Sequence, residues 1–128
     1  MKSIPIESMR SYSLFALGSV LLVSIEEDIE DSAIRRLQDQ VSERVGNGNI
    51  DGVILDLQDL EIMDSYFAEK LEELAAMLRL LQAEVIVAGL SVPVVMTLLD
   101  FDITLPGLDF ALDAEQALLR LQDRRRGG

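Results

Sequence analysis

Apolar residues run along this chain in two rhythms: continuous or alternating over five or six positions in some stretches, and returning every three or four in others. Ser13 to Leu17 and Val20 to Ile25 are apolar runs separated by Gly18-Ser19. A two-residue connection led by glycine suits a tight antiparallel hairpin. After the acidic segment Glu26 to Asp31, the residues Ile34, Leu37, Val41 and Val45 recur at helical spacing and predict an amphipathic helix that stops near Gly46. Gly46-Asn47-Gly48-Asn49 with Gly52 has the composition of a phosphate-cradling loop, but such loops follow a strand and open a helix. This one closes a helix and precedes a strand, so it reads as C-cap and turn chemistry. Gly52 to Leu57 (GVILDL) is then a strand of a sheet centre.

Past Ser65 comes the clearest helical stripe, Phe67, Leu71, Leu74, Leu78 and Leu81, with Glu69, Lys70, Glu72, Glu73 and Arg79 elsewhere on the wheel. Glu84 to Ala88 (EVIVA) reads as a buried strand. Gly89, Ser91 and Pro93 allow a turn into a short helix carrying Val94, Val95, Leu98 and Leu99. Ile103 to Leu108 is a short strand or extended loop interrupted by Pro106-Gly107, and Asp113-Ala114-Glu115-Gln116 opens a final helix with Ala117, Leu118 and Leu121 inward. The order β, β, α, β, α, β, α, a short extended piece and α predicts an α/β fold: a mixed sheet flanked by helices, its parallel strands joined by right-handed crossovers.

The 128 residues fit one domain, spanning 1–128, with a folded core over about 13–121 and flexible ends at 1–10 and 123–128. Hydrophobic residues make up 49% of the chain and aromatic ones only 5%, so the core is built from Leu, Ile, Val and Ala. A net charge of −12 argues against nucleic acid and against anionic membrane surfaces. Arg124-Arg125-Arg126 reads as a solvated tail after the last helix. The stretch from Tyr12 to Ile25, preceded by Lys2 and Arg10, lacks a small-residue cleavage site and reads as folded structure; Val85 to Leu99 is too short to span a bilayer. A soluble protein is expected. The absence of Cys removes disulfides and thiolate chemistry, and the absence of His removes the usual general base and the commonest transition-metal ligand.

Within this frame Asp64-Ser65 stands out, because an apolar strand and a short acidic connection give way there to an amphipathic helix. A hydroxyl at a helix N-terminus either caps free backbone N–H groups or accepts a phosphate that the helix dipole favours. Glu61, Asp64 and Asp59 would repel that phosphate. Met63, Tyr66 and Phe67 beside it form a possible apolar docking spot, Phe67 fitting the core stripe and Tyr66 being the better exposed candidate. Glu69 completes the surroundings. Asp56, Asp59, Glu61 and Asp64 lack the regular oxygen spacing of a calcium loop and read as solvated carboxylates. Ser65 as a hydrolase nucleophile has no G-x-S-x-G elbow and no histidine, leaving only Lys70 as base. No metal or other cofactor is expected.

The element order, the segment GVILDLQDLEIMDS and the late segment LLDFDITLPGLDFALDAEQALLRL resemble the STAS domain, the fold of anti-sigma-factor antagonists, over nearly the whole chain from Ser13 to Leu121. In that family a serine following an aspartate at the start of the second helix is the target of a dedicated kinase, and Ser65 occupies that position. Simple antagonists carry a glycine-rich D-S-[ST]-G-x-G pattern, whereas this chain reads Asp64-Ser65-Tyr66-Phe67-Ala68-Glu69-Lys70. LLVSI, VILDL, MDS before an aromatic residue and LDAEQALLRL are instead similar to the single-domain STAS scaffolds of stressosomes. That resemblance implies a cytoplasmic, non-enzymatic scaffold that self-associates, co-assembles with RsbR-type sensors through their STAS domains, and sequesters an RsbT-type kinase until its serine is phosphorylated. Two other classes stay open: an antagonist that binds an anti-sigma kinase directly, and a magnesium-dependent small-molecule enzyme relying on carboxylates.

Overall fold

The computed structural model describes residues 11–26, 29–105 and 107–127, the last three by backbone alone. Strand β1 (Tyr12–Leu17) turns through Gly18-Ser19 into β2 (Val20–Ile25), each residue of one facing its partner from Tyr12↔Ile25 to Leu17↔Val20. Gly18 has φ of 64°, the left-handed conformation that a two-residue hairpin turn requires. Helix α1 (Asp31–Gly46), β3 (Gly52–Asp56), α2 (Ser65–Leu80), β4 (Glu84–Ala88), α3 (Val92–Asp100), β5 (Asp109–Ala111) and α4 (Ala114–Gly127) follow. The strands lie in sequential order, β1-β2-β3-β4-β5, antiparallel between β1 and β2 and parallel thereafter.

Alternation along the strands divides the interior in two. Val53 and Leu55 of β3 with Val85 and Val87 of β4 face the larger cluster, beneath buried residues of α1 (Ile34, Leu37, Val41), α2 (Phe67, Leu71, Leu74, Leu78) and α3 (Val94, Leu98). Ile54 and Ile86 face the smaller cluster, under Ala117 and Leu121 of α4. Burial on both sides is why the central strands read as continuous apolar runs rather than alternating ones. Because α1, α2 and α3 share one face, the successive parallel crossovers all have the same hand, which the sequential strand order demands.

Several expected details differ. Of the two readings of Ile103 to Leu108, the described residues are loop rather than strand, with Leu105 and Leu108 buried in the large core, and pairing with β4 begins at Asp109, after the turn at Gly107 (φ 80°). Leu81 leaves the buried stripe because α2 ends at Leu80. Gln82 adopts φ of 73°, where glycine usually sits, and the Ala83 N–H reaches back to the Leu78 carbonyl at 2.9 Å, closing the helix end. The short helix α3 is present as expected, with Val94 and Leu98 inward and Val95 and Leu99 exposed. Arg124 is not in a tail after the helix: it lies within α4, its guanidinium bonded to Glu84 at 3.0 Å and Asp109 at 3.2 Å. The expected looseness of residues 1–10 and the Pro106 interruption lie outside the described residues.

Candidate functional site

The connection between β3 and α2 is built from contacts that fix its path. Leu57 continues the ladder by donating its N–H to the Ala88 carbonyl at 2.9 Å, and the Leu60 N–H turns back to the Leu57 carbonyl at 3.0 Å. The Ser91 hydroxyl donates to the Leu60 carbonyl at 3.1 Å while accepting from the Val94 N–H at the start of α3. Met63 then plunges into the core, 1% exposed. This corrects its expected place in a surface docking spot: it anchors the loop from beneath, between Leu60 and Phe67 in sequence, both also buried.

Asp64 follows with extended backbone (φ −97°, ψ 174°), and its Oδ1 accepts the Phe67 N–H at 2.8 Å. The cap of α2 is therefore Asp64 and not Ser65. Ser65 occupies the first helical position, is exposed, and makes no side-chain hydrogen bond to the described residues. An N-cap carboxylate satisfies one of the free N–H groups at the helix start and suits the positive end of the dipole. It leaves the adjacent hydroxyl unengaged.

Around Ser65 the residues singled out by sequence separate by role. Glu61, Asp64 and Glu69 are exposed, as is Tyr66, at 36%. Lys70 Nζ stands 5.3 Å from the Tyr66 ring centroid and 3.2 Å from Glu73 Oε1, so the ammonium braces the tyrosine and is itself neutralised. Gln38 of α1 donates to the Lys70 carbonyl at 3.1 Å and to Glu73 Oε1 at 3.4 Å, tying α1 to α2. Hydrogen bonds from Lys70 and Gln38 hold the Glu73 carboxyl below its ordinary pKa. Phe67 is core, as its place in the stripe required.

A cleft of about 210 Å³ opens beside the serine between the starts of α1 and α2. Ile29, Ile34, Leu60 and Phe67 contribute its apolar lining, joined by Ile62 and Tyr66 and by the carboxylates of Asp31 and Asp64. Sequence reasoning passed over Ile62, which is 76% exposed beside the site, although an isolated apolar residue within an acidic loop was a readable signal. Asp31 and Ser91 were unreadable, since their relevance comes from contacts across the fold.

Asp56 ends β3 with its Oδ1 accepting the Gln58 N–H at 3.2 Å. Burial raises its pKa against that hydrogen bond, and the charges of Asp59 and Asp113 add to the rise. Among the described residues, no group of three or more acidic side chains is placed to hold a metal ion. The site thus presents an accessible hydroxyl on a rigid helix start, with its cation already paired.

The STAS domain family model matches residues 14–109. The chain belongs to the STAS domain family. No curated protein sequence matches it. Among solved structures, this STAS domain is similar to a variant of RsbS from Moorella thermoacetica (22% identity, TM-score 0.78, covering 90% of this chain and 97% of that one). It is also similar to a component of the stressosome, described as a signal integration and transduction hub (23%, 0.76, covering 89% and 99%). A third likeness is to the anti-sigma factor antagonist SpoIIAA in its unphosphorylated form (18%, 0.67, covering 91% and 97%). At these identities the likeness establishes a shared STAS fold. No helix among the described residues is long and apolar enough to cross a membrane.

Proposed function

We propose that this STAS domain is a non-enzymatic, cytoplasmic scaffold and phospho-acceptor in a stressosome-like partner-switching system. It co-assembles with RsbR-type sensors, sequesters an RsbT-type kinase, and releases that kinase when Ser65 is phosphorylated. The observation that carries this reading is the exposed Ser65 hydroxyl, without a hydrogen bond to the described residues, at the first position of a helix capped by its neighbour, Asp64. A phospho-acceptor needs exposure and positioning, because the kinase brings nucleotide, metal and base. The phosphate adds a charge of about −1.5 to −2 beside Asp64 and Glu61. The dipole tolerates it within the chain, whereas an acidic kinase surface is repelled and an apolar one strips the dianion of water.

The test is intact mass and site mapping after incubation with the cognate kinase and ATP. One phosphate on Ser65, absent from Ser65→Ala, is expected. An active, bound kinase that leaves Ser65 unmodified sinks the reading. The likeness to SpoIIAA favours a second reading, a free antagonist of an anti-sigma kinase. Size separates the two: the scaffold forms large particles with its sensor, and the antagonist stays small. Phosphate-independent chemistry that needs magnesium and survives Ser65→Ala would instead make the chain an enzyme.

A further inference from the structure

The two ends of the sheet are treated differently. At one end β5 is three residues long and carries Asp109, held by Arg124 from α4, so this edge is short and charged. At the other end β1 is six residues long, YSLFAL, with neither charge nor proline. The whole span 11–25 that forms the β1–β2 hairpin has no charged residue in a chain of net charge −12. Native proteins ordinarily blunt an open edge with charge, proline, a bulge or brevity, because unpaired backbone groups are a template for another strand.

The phase of the hairpin shows what this edge offers. The Glu26 N–H donates to the Ser11 carbonyl at 2.9 Å, and the register carries that bonded phase to Ser13, Phe15 and Leu17, whose backbones face β2. Tyr12, Leu14 and Ala16 therefore turn their N–H and C=O groups outward, and no described strand pairs with them. On the α4 side of the sheet, α4 packs across β3, β4 and β5, leaving Phe15 60% exposed and Leu17 36% exposed next to that edge.

We infer that the β1 edge is a self-association surface, on which a second copy of this chain pairs its own β1 antiparallel to form one continuous sheet. A two-fold axis through Leu14 sets Leu14 against its own copy and Tyr12 against Ala16, so every outward backbone group of the strand finds a partner, and Phe15 packs beside Ser13 of the other chain. Such a contact is isologous and closes. Charge selects the occupant. Two copies at −12 repel each other over their acidic surfaces, and at the uncharged hairpin they approach without facing like charges.

Sedimentation velocity of the full chain over a concentration series tests this, with circular dichroism confirming that each variant is folded. The wild type is expected to dimerise. Ala16→Pro removes an outward N–H without touching the β2 ladder, and Phe15→Glu sets a charge on the exposed side chain; each is expected to weaken the dimer by roughly tenfold or more. Leu80→Lys, at a site exposed on α2, is expected to leave it unchanged. A wild type that stays monomeric at every concentration overturns the inference. So does a dimer that persists in folded Ala16→Pro, or a monomer whose edge pairs only with a partner protein's strand.

Discussion

The Asp64 carboxylate accepts the Phe67 N–H at 2.8 Å, and this one contact settles the division of labour at the start of α2. Asp64 caps, Phe67 enters the core, and the hydroxyl of Ser65 between them has no hydrogen-bond partner among the described residues. Replacing Asp64 by Ala is expected to destabilise the fold by about 1 kcal/mol, while Asp64→Asn keeps most of the cap. Thermal unfolding of the two variants checks this, and equal losses would mean that the carbonyl-type oxygen is not what holds the helix start.

Substituting Ser65 should separate folding from signalling. Ser65→Ala is expected to change stability by less than about 0.5 kcal/mol, because the exposed hydroxyl lost has no partner among the described residues, yet to abolish phosphate uptake. Ser65→Asp places a negative charge near the positive end of the helix and is expected to fold at least as well as wild type. It should bind an RsbT-type kinase at least about tenfold more weakly in calorimetry. Undiminished affinity in the folded variant would mean that charge alone is not the switch.

Gly89 holds the crossing between the ends of β3 and β4. With φ of 78°, a Cβ there would lie 3.0 Å from Gln58 Cβ and 3.2 Å from both the Gln58 nitrogen and Asp56 Oδ1. Gly89→Ala is expected to cost more than about 1 kcal/mol, since both the left-handed backbone and the close approach oppose it. Gly48→Ala has the left-handed strain (φ 91°) but open space, so it should cost less in the same denaturation series.

Asp56 should carry a pH signature. Its folded pKa is raised, chiefly by burial, so the folded protein holds its proton to higher pH than the unfolded chain does. The sign follows: stability linked to this group is fully present below the unfolded pKa and is lost as pH rises through the folded one. Asp56→Asn keeps an oxygen for the Gln58 N–H and removes the charge. It is expected to melt higher than wild type at neutral pH, with the gain shrinking on acidification through the carboxylate range. A gain equal at every pH would assign the effect to packing instead.

The order of elements and the helical faces were legible because each rests on a pattern: the continuous apolar run of β3, or Phe67, Leu71, Leu74 and Leu78 along one stripe. Local end chemistry was harder. Asp64 and Ser65 are both good caps, and only the backbone geometry chooses between them. Gln82 performs a glycine's task, so no glycine marked where α2 stops. Met63 looked like an exposed apolar neighbour of the serine because a loop has no period from which to read which way a side chain turns. Arg124 was placed in a tail since its partners, Glu84 and Asp109, are distant in sequence and only the packing of α4 against the sheet brings them near.

The hydroxyl of Ser91 joins the first turn of α3 to the carbonyl of Leu60, five residues ahead of Ser65. With Met63 sunk in the core on the same segment, the approach to Ser65 is clamped from the side and from below. A hydroxyl mounted this way does not travel to meet an incoming group. On the proposed reading, a kinase brings its own phosphate into line with a stationary target, so the adjustments that complete the encounter fall on the kinase and recognition is set by the shape this domain already has.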